Sequence, residues 1–166
     1  MIERTYIDEK YEPSLEDLKR HLRITSGDLD ETLKTYLLAA INAAEHHIGN
    51  IIARSEFRWS GEFIRSFDLK GPGISMVSVT VDGEALNASR FSVKGRTLLI
   101  DQTVTGDKME VSYTSGMKQV PFDIKAAIML YAARLFNNPV DSVESLPLVS
   151  KNLLRPYRTW GLDDGE

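Results

Sequence analysis

The hydrophobic period of this chain changes twice, and that constrains its fold more than any other feature. Apolar residues recur at helical spacing up to about residue 50, lose that repeat between 55 and 115, and regain it from about residue 120. A helix repeats every 3.6 residues and a strand every two, so one backbone geometry cannot satisfy both patterns. The expected class is therefore α+β: a helical bundle formed by N- and C-terminal helices over residues 14–50 and 120–160, with an inserted small antiparallel β subdomain over 55–115. The 166 residues read as a single domain, 1–166, long enough to bury a core without covalent staples.

Local signals place the elements. Pro13-Ser14 followed by Asp17 is a variant capping box, and Leu15, Leu18 and Leu22 continue at helical spacing. Thr25-Ser26-Gly27 is turn chemistry, so this first helix is expected to end near Ile24. Asp28 or Asp30 is expected to cap a longer helix. Its stripe is Leu29, Leu33, Tyr36, Leu37, Ala40, Ile41, Ala44 and Ile48, and Gly49-Asn50 is its stop.

In the middle, Val77, Val79 and Val81 alternate up to Asp82-Gly83, a pair suited to a tight hairpin. Lys94-Gly95 separates Phe91-Ser92-Val93 from Thr97–Ile100, and Thr105-Gly106-Asp107 precedes Met109–Thr114. An earlier strand is expected around Phe63–Leu69, giving about four to six antiparallel strands. The third stretch opens at Pro121, expected in a first helical turn, and runs to Asn137-Asn138-Pro139. From Ile124 to Phe136 only Lys125 and Arg134 are charged, so this helix should be surrounded on most sides, by its own domain or by a neighbouring subunit. A last short helix should break near Arg155 ahead of Pro156, and the tail from Gly161 is acidic.

The sequence carries few signatures of chemistry. There is no cysteine, hence no disulfide, thiolate nucleophile or cysteine-based zinc site. The net charge of −4 is spread along the chain and gives no general attraction to nucleic acid or anionic membrane. Met1-Ile2-Glu3-Arg4 does not begin a signal peptide and the apolar run Ala126–Ala133 is too short to span a bilayer, so synthesis in the cytoplasm as a soluble protein is expected. His46-His47 point about 100° apart on a helix and make poor joint ligands. The carboxylates sit at helix starts or, as Asp163-Asp164, in the tail, and the glycines form no phosphate loop. No enzyme, cofactor or metal is expected.

Two segments remain. Residues 54–67 interleave Arg54, Phe57, Arg58, Trp59, Arg65 and Phe67, a pattern that serves either as a stacking platform for single-stranded nucleic acid or as a strand core with outward arginines. Near the other end, Arg155, Tyr157, Arg158 and Trp160 concentrate residue types enriched at interface hot spots. They serve either as docking residues or as side chains folded back on the long helix.

Ser14-Leu15-Glu16-Asp17-Leu18, the long helix ending in Ile48-Gly49, Val120-Pro121-Phe122-Asp123-Ile124 and Leu153-Leu154-Arg155-Pro156-Tyr157-Arg158 occur in an order that resembles the phage and prophage head–tail connector (adaptor) family. The β region departs from the smallest, almost wholly helical members and resembles a longer branch. The resemblance implies a structural virion protein at the head–tail junction, forming a ring of about a dozen copies beneath the portal protein. Such a ring passes DNA without reading it and receives a head-closure or tail protein. In such a ring Arg155, Tyr157, Arg158 and Trp160, by their residue types, are expected to dock a neighbour or the portal, and the tips near Asp82-Gly83 and Lys94-Gly95 to face another component. The alternatives are a nucleic-acid-binding module using residues 54–67, or another phage ring protein such as a head-closure or tail-terminator protein.

Overall fold

The computed structural model describes residues 2–6, 12–138 and 146–159. These hold four α-helices and eight β-strands, an α+β composition. They divide into two compact units, one made of the N-terminal strand with residues 53–118, the other of residues 12–52 and those from Gln119 on. The loop expected at Val140–Leu146 falls outside the described residues except for Leu146, as does the acidic tail.

The helical unit holds α1 (Leu15–Leu22), α2 (Asp30–Ile48), α3 (Phe122–Asn137) and α4 (Leu148–Leu154). The capping box opens α1 as expected: Asp17 N–H donates to Ser14 Oγ at 3.2 Å and Ser14 N–H to Asp17 Oδ2 at 3.0 Å. That carboxyl is held below its ordinary pKa, chiefly by the hydrogen bonds from Ser14. Arg23, at φ 58°, closes the helix a residue earlier than the turn residues indicated.

Neither aspartate caps α2. Leu29 occupies the cap without a side-chain bond, and Asp30 is the first helical residue. Its carboxylate instead accepts from Lys19 Nζ at 2.7 Å. A lysine closed off from water needs such a partner, and this one on the next helix offsets the loss of hydration. The stripe of α2 is buried from Leu33 through Ile48, apart from half-exposed Tyr36, while Leu29 is exposed. Gly49 ends α2 at φ 70°, where a side chain would be strained. Buried Glu45 accepts Ile52 N–H at 2.8 Å and so holds the exit from the helix.

The β unit contains two antiparallel sheets. One has the order β1 (Ile2–Tyr6), β2 (Ser55–Glu62), β8 (Lys108–Ser115), β4 (Ser75–Val81) and β5 (Glu84–Ala85). The other has the order β3 (Ser66–Asp68), β7 (Thr97–Ile100) and β6 (Phe91–Lys94). Seven strands, β2–β8, lie within 55–115, more than expected because the two-residue β5 pairs back on β4. The strand β1 adds an eighth from outside the stretch by pairing with residues 55–59, about fifty positions away, and the Phe63–Leu69 stretch carries only the three-residue β3. Asp82 and Gly83, at φ 49° and 84°, make the two-residue turn between β4 and β5. In the second hairpin Lys94 is still in its strand, and Gly95-Arg96 make the turn.

Alternation along β2 buries Ser55 and Phe57 and exposes Glu56 and Arg58. Phe57 stacks on Tyr113 of β8 with centroids 5.3 Å apart, and Trp59 meets Phe67 of the second sheet at 4.7 Å. These pairs, with Val79, Met109, Val111 and Leu98, form the core of this unit. Tyr113 is buried, its hydroxyl pushed up in pKa by desolvation while accepting Lys70 N–H at 2.9 Å. Among the described residues no helix is long and apolar enough to cross a membrane.

Candidate docking surface

Leu154 is fully buried at the end of α4, and Pro156 turns the chain into a single 3-10 turn, Arg155–Tyr157. Beyond it Thr159 returns to the end of α2. Its N–H donates to Ile48 O at 2.8 Å, and its hydroxyl donates to the same oxygen at 2.9 Å and to Gly49 O at 3.2 Å. The last carbonyls of a helix have no partner within it, and Thr159 supplies one here. Tyr157 donates its hydroxyl to Asp123 Oδ2, near the start of α3, at 3.3 Å. Burial and then the Asp123 charge push that hydroxyl up in pKa.

Of the four candidates, Tyr157 therefore rests on α3, while Arg155 and Arg158 are exposed. Trp160 lies outside the described residues. Nothing in the sequence marks Thr159, because a threonine after a helix break carries no signal of what it will cap. Around the α2 terminus stand His46, His47, Lys151 and Arg158. Desolvation first, then the Arg158 and Lys151 charges, lowers the His47 pKa. Cations at a helix C-terminus complement its dipole.

The long apolar helix is covered by its own chain on one side only. Only Ile124, Ala127, Ile128 and Ala132 of α3 are buried, against α1, α2 and α4. Pro121 precedes the helix as its cap residue instead of lying in its first turn. Phe122 is 85% exposed and Leu130 37%, and at the start of α4 Leu148 is 74% and Val149 59% exposed. Ser150 Oγ donates to Ala127 O at 3.0 Å, which fixes α4 against the α3 backbone.

In the β unit, residues 54–67 do not form a stacking platform. Phe57 is buried and Trp59 packs on Phe67, while Arg58 points from the opposite face beside Glu56 at 3.9 Å. Arg65 donates to Asp101 O at 3.0 Å and covers the Phe63 ring at 5.5 Å. Phe63 itself lies between β2 and β3, its N–H donating to Asp107 O. Both turns expected to face another component are exposed, and they differ in charge: Asp82 and Glu84 at one, Lys94 and Arg96 at the other. Asp82 accepts from Lys108 N–H at 2.8 Å, which ties its turn to β8. Among the described residues no three histidines or carboxylates are grouped to hold a metal ion.

A family model described as Phage gp6-like head-tail connector protein matches residues 12–82. The match takes in α1, α2 and the strands β2 to β4, so it includes part of the β region and ends before α3. Solved structures share the fold almost end to end. A chain in the neck of an empty gene transfer agent (GTA) particle, computed with C6 symmetry, superposes with a TM-score of 0.76 at 21% identity, covering 99% of this chain and 98% of that one. A chain in the neck of a native GTA particle, computed with C12 symmetry, gives 0.75 at 20% identity with the same coverage. A chain in the virion of a native GTA particle gives 0.73 at 20% identity, again covering 99% and 98%. No curated protein matches the chain. The chain thus resembles the head–tail connector family in sequence over residues 12–82, and over 99% of its length it has the fold of a chain in a GTA neck.

Proposed function

We propose that this protein is a structural head–tail connector of a phage, prophage or gene transfer agent, located at the head–tail junction of the particle. The observation that carries this reading is the family match across α1, α2 and β2 to β4, in a chain whose whole fold recurs in GTA necks. Copies form a ring of about a dozen beneath the portal protein, with each contact repeated around the axis. The ring extends the channel, lets DNA pass without reading it, and receives the head-closure or tail protein. The helical stretches 14–50 and 120–160 form the ring body, with the β region 55–115 as an inserted subdomain whose turns face another component. Arg155, Tyr157, Arg158 and Trp160 dock a neighbour or the portal. Mechanism here is assembly; no reaction or cofactor is assigned.

The test is to express the tagged chain with its surrounding gene cluster and identify what co-purifies by mass spectrometry. Recovery of a portal or head-closure protein is the expected result. Recovery of nucleic acid alone, released by salt as phosphate contacts are, would reject the connector reading.

A further inference from the structure

We propose that the outward face of α3 is a contact between neighbouring copies of this chain, an assignment that rests on the ring reading above. At about 100° per residue, buried Ile124, Ala127, Ile128 and Ala132 occupy one side of the helix. The opposite side carries Phe122, Ala126, Met129, Leu130 and Ala133, none of them buried and none of them polar, and exposed Asn137 closes it at the end of the helix. A helix against a globular core ordinarily turns charged and polar residues to water. Here the charged residues, Asp123, Lys125 and Arg134, lie outside that stripe. Lys125 bonds Glu12 at 2.6 Å and lies over the Phe122 ring at 5.7 Å, at the border of the apolar surface.

The stripe runs about 17 Å from Phe122 to Ala133 at the helical rise. Alanines at 126 and 133 leave shallow places where another element can approach closely. An apolar stripe of this kind marks a surface that is covered in the working state. A second copy is the occupant that fits. The chains of the same fold occur in necks computed with C6 and C12 symmetry, and cyclic symmetry requires every copy to present one face and receive it on another. The contact is heterologous, so α3 meets a different surface of the next copy and not its own α3.

The chain has no cysteine, so a single introduced thiol is a clean reporter. Ala126→Cys and Ala133→Cys, each in the full chain, are expressed with the gene cluster, and monomer and assembly are treated with a maleimide. Near-complete loss of labelling in the self-assembly, with full labelling in the monomer, is expected. Leu130→Glu should abolish assembly while circular dichroism shows a folded monomer. An assembly in which both thiols remain labelled overturns this surface and leaves the ring reading standing, whatever Leu130→Glu does to folding. Protection only when a different neck protein binds a monomer also overturns it, as does a dimer cross-linked through one thiol on each α3. A chain that never self-associates, even with its portal or head-closure protein bound, overturns both readings.

Discussion

Tyr157 and Gly49 are tied to the same end of the helical unit by different physics. Gly49 sits at φ 70° with the Thr159 hydroxyl 2.7 Å from where a β-carbon would be, so a methyl group there meets both backbone strain and that oxygen. Gly49→Ala is expected to cost about 1–2 kcal/mol, measured as a lower midpoint in urea unfolding. The Tyr157 hydroxyl makes one long bond to Asp123 near solvent. Tyr157→Phe should therefore cost less than about 1 kcal/mol. Tyr157→Ala, together with Trp160→Ala, should weaken assembly while the monomer stays folded; global unfolding by circular dichroism would make these core residues and end their docking role. His47 has a pKa below its ordinary 6.5 because burial and nearby cations oppose its charge. The unfolded chain then takes the proton first, so stability falls as pH drops from about 6.5 through the lower folded value. His47→Gln should flatten that part of a stability-against-pH curve.

Among elements, α1 has the clearest terminus. Ser14→Ala removes an N-cap and is expected to cost about 1 kcal/mol at pH 7. The Asp17 pKa is lowered in the fold, so the charge-dependent part of this bond is full above the unfolded value of 3.8 and is lost as pH falls through the folded one. Chemical denaturation should accordingly find the gap between wild type and Ser14→Ala narrowing in acid. The stripe of α2 was legible because a helix writes its buried face into local spacing, from Leu33 to Ile48. The strand β1 was not, since five residues, Ile2–Tyr6, become a strand only through pairing with β2. The cap of α2 departs from its local pattern for a related reason: Asp30 has a partner on another helix, Lys19, that no local pattern reveals.

At the scale of the whole molecule, two cores stand behind the two units. Leu37 is fully buried in one and Val111 in the other. Leu37→Ala should cost about 2–5 kcal/mol, and hydrogen exchange should show the amides of the helices losing protection before those of the sheets. The α+β class and the connector resemblance were readable in the sequence by itself, because period, caps and turn residues act over a few neighbours. Tertiary structure alone decided the two-sheet arrangement, the return of Thr159 to the α2 carbonyls, and the split of α3 into a buried face and an open one. From Ile124 to Phe136 the sequence is apolar almost all round. Such a helix carries no mark of which side its own chain will cover, and only the packing of α1, α2 and α4 against it left the Phe122–Ala133 stripe unburied.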